Sequence, residues 1–158
     1  MTSFTLAHVV ISLIGIASGG VVLAGLLQSR RLEGWTAVFL GTTVATSLTG
    51  FGFPATQVLP SHIVAGISLV VLAVAAFARY ARGLSGGWRA VYVVSGGAAL
   101  YLNVFVLVVQ LFLKVPSLHA LAPTGSEPPF AVAQTAVFAV FAGLIASAAR
   151  RFRPVLAP

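Results

Sequence analysis

The 158-residue chain has no cysteine. That excludes disulfides, thiol catalysis and cysteine-ligated metals. It also has no aspartate, a single lysine (Lys114) and a single methionine, and charged residues make up only 7% of it. No carboxylate lies inside any of its long apolar runs. Transporters coupled to protons or sodium ordinarily rely on a buried acid, so that class is disfavoured. There is no phosphate-binding loop and no carboxylate pair, and Ser117 with His119 has no acidic partner in register. Enzyme chemistry built on side chains alone therefore finds no support.

What the chain does have is apolar surface. Apolar residues make up 59% of it, and its mean hydropathy is +1.06. A water-soluble domain of this size could not bury so much, so lipid has to be the solvent for most of it. The net charge of +7 does not point to nucleic acid, which needs a basic face on a soluble module.

Eight arginines occupy three short gaps between the apolar runs: Arg30 and Arg31; Arg79, Arg82 and Arg89; and Arg150, Arg151 and Arg153. The other gaps carry almost no charge. Basic residues beside membrane helices stay on the cytoplasmic side. The alternation thus predicts an all-α bundle of five transmembrane helices with its N-terminus outside and its C-terminus inside, so that a reporter at the C-terminus would be cytoplasmic. The expected partners of the arginines are anionic lipid head groups, at about 1 kcal/mol per residue near the surface. A preference for arginine over lysine, with abundant alanine, valine and glycine, points to a high-GC bacterial genome and hence a bacterial inner membrane.

The expected spans are 6–27, 35–53, 61–80, 90–115 and 130–149, in one membrane domain covering 1–158. The first has no basic leader and no small-residue cleavage site, and reads as a retained helix rather than a signal peptide. The second is the least apolar, with Thr42, Thr43, Thr46, Ser47 and Thr49, and is expected to face protein more than lipid. The fourth exceeds the bilayer's needs and should tilt or protrude. Trp35 and Trp88 flank arginine-bearing gaps as interfacial anchors. Gly15 and Gly19, extended by Ser18 and Gly20, and the run Ser95, Gly96 and Gly97, supply small faces for close helix packing within the monomer.

The remaining polar residues are placed asymmetrically. His8, His62, His119, Lys114, Gln57, Glu127 and Gln134 all map to the outer half, leaving the inner half with arginines and hydroxyls. Along the fourth span Tyr92, Gly96, Ala99, Asn103, Gln110 and Lys114 fall on one narrow stripe, because offsets of four, seven and eleven nearly superimpose. One reading is a polar track from the outer surface to mid-bilayer. The plainer one makes Asn103 and Gln110 interhelical glue while Lys114 snorkels.

His8 and His62 should lie level on parallel helices, where they could bind a transition metal, ligate a haem or simply sit hydrated at the interface. A folded outer loop would add His119 and Glu127 to make a three-histidine, one-carboxylate set suited to zinc or copper.

Three function classes follow. The leading expectation is an outward-opening protein that binds or permeates a small ligand or ion through Asn103, Gln110, Lys114 and Tyr92, with His8 and His62 at the mouth of the track. The second is a haem- or quinone-binding redox protein. The third is an accessory subunit of a larger membrane complex with no site of its own. Five helices enclose only a narrow cavity, so a pore would need a homo-oligomer or a very small permeant.

Overall fold

The computed structural model describes residues 2–53 and 60–153, and these are all-helical, with no strand. The helices are α1 (Ser3–Leu27), α2 (Glu33–Gly50), α3 (Pro60–Ala76), α4 (Trp88–Lys114), α5 (Pro116–Leu121) and α6 (Pro128–Arg151). A π-helical turn, Phe77–Ala81, continues α3. Gln57 lies outside the described residues.

Among the described residues, four helices are long and apolar enough to cross a membrane: Ser3–Leu27, Ser61–Ala81, Trp88–Lys114 and Pro128–Arg151. The expectation of five apolar spans is met only in part. α2 is a long helix of 18 residues, but its hydroxyls leave it too polar to stand with the other four. Its composition has a structural outlet, since Thr36, Thr43 and Ser47 are all buried at offsets of seven and eleven, on the side that packs against the other helices.

Local chemistry explains the boundaries. The Thr2 hydroxyl caps α1 by accepting from the Thr5 N–H, so the helix starts earlier than the apolar run. α1 ends in a Schellman turn: Arg30 N–H donates to Gly25 O at 2.8 Å and Ser29 N–H to Leu26 O at 3.1 Å, with Ser29 in the left-handed region at φ 60°. Pro128 and Pro129 open α6, where their missing N–H groups cost nothing.

The long helices, α1, α2, α3, α4 and α6, run in alternating directions. One end of the bundle holds the start of α1, the finish of α2 and α4 and the start of α6, as the His8–Thr49 and Phe112–Phe130 contacts require. The opposite end gathers the arginines, where Arg79 meets Glu33 and the Arg153 N–H donates to Ser29 Oγ at 2.7 Å. We call these the histidine end and the arginine end.

α4 is central and packs on α1, α2, α3 and α6, while α6 lies outside against α1 and α4. Small residues set the approaches. A Cβ at Gly19 would stand 2.6 Å from Leu100 Cδ1 and 2.8 Å from Phe39 Cε2, and one at Gly97 would stand 2.5 Å from Ile145 Cγ1. Of the other glycines expected to share these seams, Gly20 is exposed, while Gly96 is buried beside a small cavity and an added Cβ there would meet nothing within 4 Å. The close seams join helices of a single chain, as expected.

Candidate functional site

Polar groups from α1, α2 and α4 meet in three tiers. At the histidine end His8 Nδ1 lies 2.8 Å from Thr49 Oγ1. The Thr49 hydroxyl has one proton, and it goes to Ala45 O at 2.7 Å. With that proton engaged, the contact is satisfied when His8 donates from Nδ1 to Thr49 Oγ1. Phe53 packs edge-on against the His8 ring at 5.0 Å. Lys114 lies within electrostatic reach of His8, and its side chain is exposed while Gln110 is half-buried.

The middle tier centres on Asn103. Its Nδ2 donates to Thr43 Oγ1 at 3.3 Å. Gly15 opens the space for this contact: a Cβ there would stand 3.2 Å from Thr42 Oγ1, 3.3 Å from Thr43 Oγ1 and 3.5 Å from Asn103 Nδ2. Three helices converge here because one of them has no side chain. An apolar layer follows, with Gly19, Leu23, Phe39 and Leu100 around a cavity of only about 10 Å³, the space for a single water at most.

The third tier lies at the arginine end. Tyr92 is 2% exposed, with its hydroxyl 3.5 Å from Thr36 Oγ1. Its ring carries the Arg79 guanidinium 5.2 Å from the centroid and meets Phe152 at 6.2 Å. Arg79, itself 2% exposed, donates from Nη2 to Glu33 Oε2 at 2.7 Å and to Arg31 O at 3.1 Å. Arg31 Nε stands 3.0 Å from Glu33 Oε1, an ion pair by distance, although its N–H is not aligned for a hydrogen bond. Arg89 donates to the carbonyl of Phe152, which straps the end of α6 across this cluster.

Two sequence expectations change here. Tyr92 shares the α4 stripe with Asn103 and Lys114, yet it belongs to the arginine end rather than to an outward track. The inner half also holds more than arginines and hydroxyls, because Glu33 is the first residue of α2 and the acid to which Arg79 and Arg31 bind. The signal was legible. Arg79 follows Ala65, Ser68, Leu72 and Ala75 on the buried face of its helix, and Glu33 is the one acid near any arginine in sequence.

The histidines flank the same end of α2. His62 stacks on Phe51 at 5.6 Å and 17°, while His8 rests on Thr49 and Phe53. His119 lies exposed on α5. Glu127 closes its own turn: Oε1 accepts from the Thr124 N–H at 3.0 Å and hydroxyl at 2.9 Å, and Oε2 from the Ser126 N–H at 3.1 Å. Among the described residues no group of three or more His, Cys, Asp or Glu could hold a metal ion, so the set His8, His62, His119 and Glu127 is not assembled. Gln134, which the sequence placed in the outer half without a role, donates from Nε2 to Phe105 O at 3.2 Å and ties α6 to α4.

The chain matches no known family, no curated protein and no solved structure.

Proposed function

We propose that the chain is a five-span protein of a bacterial inner membrane, with α2 as its second span, its histidine end outside and its arginine end in the cytoplasm. In this reading its outer half binds a small ligand between α1, α2 and α4, and the protein serves to take up or pass that ligand. Segregation of the arginines supports the orientation. Burial of the α2 hydroxyls against neighbouring helices supports a fifth span, because in lipid such groups must be satisfied internally.

The observation that carries the binding reading is the Asn103–Thr43 hydrogen bond, with His8, Gln110 and Lys114 above it on the same side of α4 and α1. Intramembrane amides at a helix junction face partners or a ligand, and here they continue to the surface. Replacing Asn103 by Leu removes the amide at similar volume. Flux or binding measured in proteoliposomes should fall to background while the protein stays helical and monodisperse; undiminished flux would reject the site.

A second reading, an accessory subunit, draws on α6. No residue of its most apolar stretch is buried in the bundle, and Val132, Phe138 and Val140 are each more than half exposed. Lipid covers such a face equally well. Expression of the chain alone separates the two, since a subunit lacking its complex would be unstable.

A further inference from the structure

We propose that the ligand of the α1–α2–α4 site is a small monovalent anion, and that Lys114 and Arg79 set this charge selectivity. The inference rests on the binding reading above and names its substrate class. Along the polar line no carboxylate stands between these two cations: the side chains there are His8, Thr49, Asn103, Thr43 and Thr36. The chain has only two acids, and neither offsets this line. Glu127 is held by N–H and hydroxyl donors of its own turn. Glu33 is held by Arg79 and Arg31, and two guanidiniums with one carboxylate leave that cluster net positive.

Arg79 also keeps donor capacity in reserve. Its Nε and Nη1 are buried and make no hydrogen bond among the described residues. The positive charge is thus only partly answered by Glu33, in an apolar setting where fields are weakly screened. A cation entering from the histidine end would meet Lys114 first and the Arg79 cluster at the far side, with no carboxylate to replace its water. An anion finds the Lys114 ammonium and the amide donors of Gln110 and Asn103 in succession. The three helices are in close contact at Gly15, where even a Cβ would press on Thr42 and Thr43 at 3.2 and 3.3 Å, so an occupant has to displace side chains and only the smallest anions, such as chloride, nitrate or acetate, suit the site.

The test uses the full chain in proteoliposomes, with chloride, nitrate, acetate, potassium and protons as separate probes and glycerol as the neutral one. Passage or binding of at least one of the three anions, lowered about tenfold or more in Lys114→Glu and retained in Lys114→Arg, is the expected result. Lys114 is exposed, so both variants should fold, and circular dichroism verifies it. Passage of potassium, protons or glycerol instead, lost in Asn103→Leu, would overturn the anion inference while leaving the site intact. Anion flux indifferent to Lys114→Glu would overturn the selectivity assignment. No response to any probe would overturn this inference and the binding reading together.

Discussion

Arg79 and Glu33, 46 residues apart, meet at 2.7 Å between the π-helical turn after α3 and the first residue of α2. The two halves of the pair are unequal. The arginine side chain is 1% exposed and the glutamate 63%. Burial removes water from the cation alone, so the acid's contribution is to compensate a charge that cannot be hydrated.

Glu33→Gln should therefore destabilise the protein although the mutated residue lies at the surface. The expected loss is about 1.5–3 kcal/mol, the usual worth of a hydrogen bond to a charged group. Arg150→Gln, an exposed change at the same end, should stay within about 0.5 kcal/mol. Equilibrium unfolding in detergent micelles measures both, and equal stabilities for the two variants would contradict the asymmetry.

Adjacent glycines should respond in opposite ways. Gly19→Ala pushes a Cβ against Leu100 and the buried ring of Phe39, whereas Gly20→Ala meets nothing within 4 Å. Overpacking of this kind costs about 1–3 kcal/mol, and Gly20→Ala should be neutral or slightly stabilising because alanine is the better helix former. Thermal melts of the two variants decide it.

Glu127 predicts a pH dependence in the loop before α6. Partial desolvation raises its carboxyl pKa, but donation from Thr124 and Ser126 more than reverses this and holds it below the ordinary 4.5. A depressed acid stabilises the folded loop above its ordinary value and loses that contribution as pH falls through the lowered one. Hydrogen exchange at the Thr124 and Ser126 amides should accelerate relative to neighbouring loop amides on acidification below about pH 4.5. In Glu127→Gln that extra acceleration should vanish.

Some of this architecture could be read residue by residue. The apolar runs, punctuated by arginines, mark α1, α3, α4 and α6, and a helical period on α2 already puts Thr36, Thr43 and Ser47 on one face. The α4 stripe was likewise legible, since Tyr92, Asn103 and Lys114 repeat every eleven residues. Which helices the stripe faces was not, because Thr36 and Thr43, which meet Tyr92 and Asn103, lie 56 and 60 residues away in the chain. The pairing of Glu33 with Arg79 was open to inference from one acid among many arginines, but composition directs attention to the apolar runs rather than to the gaps.

By itself, the sequence determined the helical class and the apolar character of four long helices, because these follow from local hydropathy, a property that each segment carries without its neighbours. Tertiary structure decided which residues meet. It set His8 on Thr49, Asn103 on Thr43 and Tyr92 under Arg79, and left Glu127 to its own turn. In lipid no hydrophobic force selects one helix partner over another, so the choice falls to close approach at glycines and to hydrogen bonds between distant residues. Gly19 against Phe39 and Gly97 against Ile145 make that choice here.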